Sequence, residues 1–332
     1  MDQQHATFDA ICESYALKPG GPARRISERV WHLPTGRGEF AVKLYTIDQQ
    51  VRANKEAAVL AHLATTHGDA RFRVQTLQRT AAGEPTWAGL GRQAMLTRWE
   101  TGQLRTYDTF TPAEWSALGA SLAALHLSLD RLNLPALDTI QARLAAIDAD
   151  DMRRSLLEAL ERTTPEGDGA LLRTYVDACL RMLDEHYPGS IDAFPAGDSQ
   201  HPIHNDYNQF NYLFDGALPP IILDWEATIG APREFEVVRC LNHLPLEAPD
   251  RAAAFVRAYV QIRPLRAERI AWAVDAACLQ HALKRWVLQG WLNDPPRFAS
   301  PLQGAMKMVS TMHGARGQLI DFFSRCLDAG SL

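Results

Sequence analysis

The fold is decided by an eight-residue loop and the two apolar runs after it; the loop reads His204-Asn205-Asp206-Tyr207-Asn208-Gln209-Phe210-Asn211. The runs are Tyr212 to Phe214 and Ile221 to Leu223, and the strong turn signal Asp215-Gly216 follows the first. Two short apolar runs around such a turn predict a β-hairpin. Asn211 precedes the outgoing strand and Asp224 follows the returning one, so both are expected to emerge at the same end of the hairpin.

Oxygen-bearing side chains cluster at that end of the predicted hairpin. Asp206 lies five residues before Asn211, close enough for a loop to fold back, and Glu226 follows Asp224 by two. Carboxylate and amide oxygens are suitable ligands for Mg²⁺, which takes its remaining ligands from water and substrate phosphates. Phosphoryl transfer needs such a metal and a separate carboxylate to accept the hydroxyl proton. Residues of these types often cap turns and helices, but capping does not explain their convergence behind a histidine, which we expect to brace the loop.

The spacing H-x-D-x-x-x-x-N, followed by an apolar strand that ends in Asp, resembles the aminoglycoside phosphotransferase and choline kinase superfamily. The resemblance covers about Ile26 to Phe323. It implies that Asp206 is the catalytic base, that Asn211 and Asp224 hold Mg²⁺, and that Glu226 supports a second metal position or contacts the acceptor. Most members carry glycine before the catalytic Asp; the H-N-D form found here resembles choline and ethanolamine kinases and some sugar kinases.

The first hundred residues read as strand-rich. Val30 to Leu33 and Phe40 to Tyr45 are short apolar runs separated by turn formers, and in the second run Ala41, Lys43 and Tyr45 share one face. Helical spacing predicts a helix over Gln49 to Leu63. A further strand is predicted over Arg92 to Trp99.

The resemblance assigns nucleotide-binding roles to four residues of this region. Lys43 would grip the α- and β-phosphates of ATP, and Glu56 on the following helix would pair with it. Thr97 and Trp99 lie in the segment that resembles the hinge strand, whose backbone meets adenine. The segment Pro19-Gly20-Gly21-Pro22 is the only candidate for a glycine loop over the phosphates, and it does not fit G-x-G-x-x-G.

From Thr111 onward the pattern is helical. Thr111 and Glu114 form a capping box with Pro112 at the first helical position. A buried stripe follows, formed by Trp115, Leu118, Leu122 and Leu125. We predict an α+β, protein-kinase-like, two-lobed fold. Residues 1–102 would form a small antiparallel-sheet, nucleotide-binding lobe, and residues 103–332 a larger, mostly helical, catalytic and substrate-binding lobe.

Composition excludes several other classes. The 332 residues are 46% apolar and 22% charged, with a net charge of −5, so no positive field recruits nucleic acid or an anionic membrane. No apolar stretch reaches the roughly 18–20 residues of a membrane span. Five scattered cysteines without a C-x-x-C pair favour reduced thiols. We expect a cytoplasmic protein, monomeric or homodimeric.

The sequence thus predicts an ATP- and Mg²⁺-dependent kinase of a small-molecule hydroxyl, on an amino alcohol, an amino sugar or a related metabolite. The alternatives are an aminoglycoside antibiotic kinase, an inactive nucleotide-binding module and a metal-dependent hydrolase. Residues 128–200 hold 14 acidic against 7 basic residues (−7), whereas residues 240–332 hold 11 basic against 7 acidic (+4), a mixture that does not single out a polycationic acceptor. Trp286 and Trp291 are expected in the core, although Trp286 could also stack on an acceptor.

Overall fold

The chain forms two compact units, one of Met1–Leu137 with Pro202–Thr228 and the other of Asp138–His201 with Ile229–Leu332. This computed structural model describes residues 3–65, 69–134, 137–163, 168–186, 200–282 and 284–328. The division predicted between residues 102 and 103 lies inside the first unit, and it stays a prediction.

The first unit contains the two larger sheets. Its strands before the loop of residues 204–211 are β1 (Arg24–Arg25), β2 (Val30–Thr35), β3 (Gly38–Thr46), β4 (Arg73–Val74), β5 (Leu77–Gln78), β6 (Trp87–Gly89), β7 (Arg92–Arg98) and β8 (Gln103–Leu104). Its helices are α1 (Gln3–Ser14), α2 (Gln50–Thr65) and α3 (Pro112–Leu129). Three short strands follow later in the chain, β9 (His201–Ile203), β10 (Tyr212–Phe214) and β11 (Ile221–Ile222).

An antiparallel sheet in the order β1-β2-β3-β7-β5, with β6 also beside β7, carries Lys43 in its middle strand. Phe40, Val42 and Leu44 are buried on one face of β3, as the alternation predicts, and pack in a core that includes Phe8 and Ile11 of α1. Each such side chain stabilises the fold by about 1.5–3 kcal/mol when fully buried. The central strand that presents Lys43 is therefore held by its apolar alternate residues.

Helix α3 begins as the sequence predicts. The Thr111 hydroxyl accepts from the Glu114 N–H (3.3 Å), and the Glu114 carboxylate accepts from the Thr111 N–H (2.7 Å). The predicted stripe from Trp115 to Leu125 is buried. The Tyr207 hydroxyl donates to the Leu118 carbonyl (3.0 Å). Helix α3 therefore backs the loop of residues 204–211.

The second unit is mostly helical. Its elements are α4 (Ile140–Ala145), α5 (Ala149–Glu161), α6 (Asp168–His186), β12 (Ile229–Ala231), α7 (Arg233–Leu241), α8 (Leu244–Glu247), α9 (Pro249–Val260), α10 (Ile270–Ala282), α11 (Arg285–Asn293), α12 (Pro295–Gly314) and α13 (Arg316–Asp328). The sequence also predicts a loop from Thr163 to Gly169, part of which lies outside the described residues. None of the described helices meets the length and apolarity of a membrane span.

One core expectation in this unit is wrong. Trp291 is buried, but Trp286 on the same helix is 59% exposed and meets the Phe298 ring edge-on at a centroid distance of 6.2 Å. Positions 286 and 291 are five apart, about 140° around a helix, so one face cannot bury both.

Candidate active site

The hairpin pairs as predicted and brings its two polar ends together. Tyr212 lies opposite Ile222 and Leu213 opposite Ile221, in antiparallel register. Beyond the paired residues, the Leu223 N–H donates to the Asn211 carbonyl (3.0 Å). Asn211 and Asp224 therefore leave the hairpin at one end.

The Asp206 carboxylate is held by two amides of its own loop. Asn208 Nδ2 donates to Oδ1 (2.8 Å) and Asn211 Nδ2 donates to Oδ2 (2.9 Å). Asn211 Nδ2 also donates to the Asp206 carbonyl (2.8 Å). Because its nitrogen faces Asp206, the Asn211 amide oxygen is the atom that can accept a cation.

His204 braces the loop as expected. The Asp206 N–H donates to Nδ1 (3.2 Å), which assigns the proton to Nε2, and Nε2 donates to the Leu223 carbonyl (2.8 Å). The imidazole packs 4.5 Å from Trp225, measured between ring centroids. A neutral histidine thus ties the loop of residues 204–211 to the returning strand.

The structure shows how Asn205 fits at a position where most members of the resembled family carry glycine. Its backbone is left-handed, with φ 62°, a conformation that glycine adopts freely and that asparagine tolerates better than most residues. Its Nδ2 donates to the Ala227 carbonyl (3.1 Å). A side chain at this position therefore adds a contact to the segment after Asp224 that glycine cannot make.

Lys43 joins three carboxylates. Its ammonium lies 2.8 Å from Glu56 Oε2, 2.8 Å from Asp224 Oδ1 and 3.1 Å from Glu226 Oε2. The Tyr45 hydroxyl also donates to Glu56. The structure therefore brings together Lys43, Glu56, Asp224 and Glu226, four of the residues singled out in the sequence.

The charges in this cluster support one another. Burial disfavours the charged form of Lys43, but the charges of Glu56, Asp224 and Glu226 outweigh it and raise the pKa of the lysine. Burial alone would raise the pKa of Glu226, yet its hydrogen bonds with Arg29 and the charge of Lys43 lower that pKa to about 2. Lys43 and Glu226 are therefore both ionised at neutral pH.

Sequence reasoning missed Arg29. Its guanidinium makes two hydrogen bonds to Glu226, at 2.8 and 2.7 Å, and lies over the Tyr45 ring. The partners are 197 residues apart and belong to no shared motif. Tyr45 did carry a signal, because alternation along β3 places it on the face of Lys43.

Helix α2 holds the segment after Asp224 at two points. Glu56 uses one oxygen for Lys43 and accepts from the Trp225 N–H with the other (3.1 Å). One residue earlier, the Lys55 ammonium donates to the Thr228 carbonyl (2.7 Å). The position of α2 therefore fixes both Lys43 and the segment that carries Asp224 and Glu226.

The predicted hinge residues lie at the end of β7. Thr97 is buried, and its hydroxyl accepts from Gln75 Nε2 (3.3 Å). The Trp99 N–H donates to the Glu39 carbonyl (2.9 Å), and the indole stacks edge-on against His32. Contact of either residue with adenine stays a prediction.

The glycine-loop candidate lies away from Lys43. Pro19 bridges to Thr35 and the Gly20 N–H donates to the Pro34 carbonyl (2.9 Å), at the far end of β2. Lys43 pairs with Val30 at the near end of the same strand, five residues or roughly 17 Å away. The turn beside Lys43 is instead residues 26–29, between β1 and β2.

The donor set fits a divalent cation. Oxygens of Glu56, Asp224 and Glu226 all lie within 4.8 Å of one another. Hard oxygen ligands of this kind suit Mg²⁺, which keeps other positions for water and phosphate. Lys43 and Arg29 partly neutralise the cluster, so a cation that binds Asp224 and Glu226 competes with these side chains.

A kinase-like phosphotransferase is the class that this sheet order and this arrangement of lysine, aspartates and asparagine define. The sequence profile described as "Phosphotransferase enzyme family" matches residues 21–289. The chain therefore belongs to the phosphotransferase enzyme family, as a small-molecule kinase with the α+β, protein-kinase-like fold that its sequence predicts. No curated protein sequence matches it.

Solved structures share the fold over nearly the whole chain at low identity. A spectinomycin phosphotransferase in complex with ADP and spectinomycin is 12% identical, with a TM-score of 0.69 over 93% of this chain and 98% of that one. An amicoumacin kinase in complex with AMP-PNP, Ca²⁺ and Ami is 14% identical (TM-score 0.64, 93% of each chain). A microcompartment-associated aminopropanol kinase is 18% identical (TM-score 0.61, 95% and 98%).

Proposed function

We propose that this kinase transfers the γ-phosphoryl group of ATP to a hydroxyl of a small amine-bearing molecule, with Mg²⁺ as the metal. The observation that carries the proposal is the ion-pair cluster of Lys43 with Glu56 and Asp224, together with a separate Asp206 held by Asn208 and Asn211. One group of side chains handles phosphate and metal, and the other handles the acceptor proton. Similar structures that contain ADP or AMP-PNP support the nucleotide.

The residues have separate tasks. Lys43 would contact the α- and β-phosphates, kept in place by Glu56. Asp224 and the Asn211 amide oxygen would hold Mg²⁺, and Glu226 lies close enough to Asp224 to support a second metal position. A bound Mg²⁺ neutralises charge on the transferring phosphoryl group.

Asp206 acts on the acceptor. Its carboxylate accepts the hydroxyl proton while the acceptor oxygen forms its bond to the γ-phosphorus and the bond to the departing ADP oxygen breaks. The two amides that donate to the carboxylate hold it in one orientation. Because neither amide can itself accept the proton, Asp206 is the base of this loop.

The arrangement argues against the alternatives. A hydrolase that used the acidic residues alone would have no task for a strand lysine held by Glu56 and Tyr45. An inactive module would not need Asp206, Asn211 and Asp224 to be intact together. The similar structures include an aminopropanol kinase and a spectinomycin phosphotransferase. An aminoglycoside-like antibiotic therefore belongs in the acceptor panel beside small amino alcohols.

The test is ATP consumption across an acceptor panel, with the phosphorylated product identified by mass spectrometry. The panel holds choline, aminopropanol, homoserine, thiamine, hexosamines, spectinomycin and aminoglycosides. Asp206→Asn should reduce turnover by at least roughly 10²- to 10⁴-fold while Mg-ADP binding persists. Asp215→Asn, at the other end of the hairpin, is the matched control. Undiminished turnover in Asp206→Asn would overturn the mechanism.

We further propose that the enzyme acts in the cytoplasm as a monomer or homodimer. All five cysteines are free and buried in the structure, as a reducing compartment permits. Sedimentation at several concentrations tests the oligomeric state.

A further inference from the structure

Arg29 stands on a fixed backbone beside Lys43. The Leu44 N–H donates to the Arg29 carbonyl (2.8 Å), and the turn before it closes through hydrogen bonds from Ile26 and Ser27 N–H to the Val30 carbonyl. Arg25 adds bonds to the Ser27 and Glu28 carbonyls. The hairpin therefore fixes the backbone of Arg29 beside Lys43.

The Arg29 guanidinium engages both carboxylate oxygens of Glu226. Arg29 Nη2 bonds Glu226 Oε1, and Arg29 Nη1 bonds Glu226 Oε2, which also lies near the Lys43 ammonium. Both carboxylate oxygens are thus already engaged. The Arg29 side chain is 30% exposed and that of Glu226 16%, so the pair lies at an accessible edge of the cluster.

Metal binding at Glu226 must weaken this pair, since a cation and a guanidinium cannot both use the same two oxygens at full strength. Once displaced from Glu226, the Arg29 guanidinium would still lie beside Lys43, where the nucleotide phosphates are expected. Its planar pair of N–H donors matches the geometry of phosphate oxygens.

We infer that Arg29 is a second phosphate-binding residue that exchanges partners: it pairs with Glu226 in the nucleotide-free protein and with a phosphate of the Mg-nucleotide when this binds. The turn of residues 26–29 thereby performs with a side chain what a glycine loop performs with its backbone. This inference rests on the proposed function. The pair with Arg29 would also keep a metal ion from binding Glu226 until the nucleotide binds.

The test measures binding rather than turnover, by titration calorimetry with Mg-ADP and adenosine and by paramagnetic resonance with Mn²⁺ alone. Arg29→Gln should weaken Mg-ADP binding roughly 10- to 100-fold, the range of a hydrogen bond to a charged group. It should leave adenosine binding unchanged and strengthen Mn²⁺ binding without nucleotide. Arg24→Gln, an exposed arginine of the same hairpin with the same charge change, is the control.

Arg29→Lys keeps a cation beside Glu226 but lacks the fork, and we expect a smaller loss of Mg-ADP affinity with the fold intact. Mg-ADP affinity of both Arg29 variants equal to that of Arg24→Gln would overturn the inference while the proposed function stands. Failure of the unaltered protein to bind Mg-ADP would overturn both.

Discussion

Asn205 and Asp224 both have left-handed backbones, with φ of 62° and 60°. Such conformations cost of order 1–3 kcal/mol for residues other than glycine and persist where surrounding contacts impose them. Here the contacts are the His204 and Asn205 hydrogen bonds to the segment that carries Asp224. Part of the backbone strain in the described residues thus lies where the loop of residues 204–211 meets the proposed metal ligands.

Substitution at Asn205 separates backbone strain from the side-chain contact. Asn205→Val should lower the free energy of unfolding by roughly 1–3 kcal/mol, because a β-branched residue resists this φ. Asn205→Gly should lose only the hydrogen bond to Ala227, about 1 kcal/mol. Urea unfolding measures both, and equal stability of the two variants would contradict the prediction.

Lys43 matters to stability as well as to nucleotide binding. Lys43→Met should lower the free energy of unfolding by about 3–5 kcal/mol, because it leaves the fully buried Glu56 without its ammonium. Adding Glu56→Gln should restore much of the loss. Lys307→Met, which removes an exposed pair with Glu247, should change stability by less than about 1 kcal/mol. A Lys43→Met loss as small as that control would refute this account.

At the scale of elements, α3 depends on its first turn. Burial would raise the pKa of Glu114, but hydrogen bonds from Arg105 and Thr111 lower it below the ordinary 4.5. A carboxyl group whose pKa is lower in the folded than in the unfolded chain stabilises the fold at any pH above its unfolded pKa. That contribution is lost as the pH falls through the pKa of the folded chain.

Glu114→Gln should therefore destabilise the protein at pH 7, and the difference from the unaltered chain should shrink as the pH falls from about 4.5. Urea unfolding at pH 7, 5 and 3 measures the trend. Thr111→Ala, which removes the capping hydroxyl, should cost about 0.5–2 kcal/mol with a weaker dependence on pH. A Glu114→Gln effect that grows in acid would be the wrong sign.

Elements with a local signal were predictable. Strand β3, the capping box of α3 and the β10–β11 hairpin follow from alternation, turn chemistry and spacing within about 15 residues. Arg29 was not predictable, because its pair with Glu226 depends on how distant segments meet. The place of Gly20 and Gly21 was not predictable for the same reason: composition marks them as a loop, but only strand pairing shows which end of β2 they lie beside.

At the scale of the whole molecule, ligand binding and stability are linked. A ligand that binds the folded chain alone stabilises it by about 2.7 kcal/mol at a hundred times its Kd. Mg-ADP should therefore raise the Tm of the unaltered protein and of Lys307→Met. It should not raise that of Lys43→Met, which a fluorescence melt can check. Equal shifts in all three proteins would remove Lys43 from the nucleotide site.

The segment from Leu223 to Thr228 is gripped through its main chain: His204 holds the carbonyl of Leu223, Asn205 that of Ala227 and Lys55 that of Thr228. A backbone carbonyl remains when the side chain of its residue is replaced. The side chains of half-buried Leu223 and Ala227 can therefore change during evolution without loss of these contacts, whereas replacing His204 or Lys55 removes one of them. Saturation mutagenesis should therefore find that the positions that keep the Leu223–Thr228 segment in place lie outside that segment in the sequence.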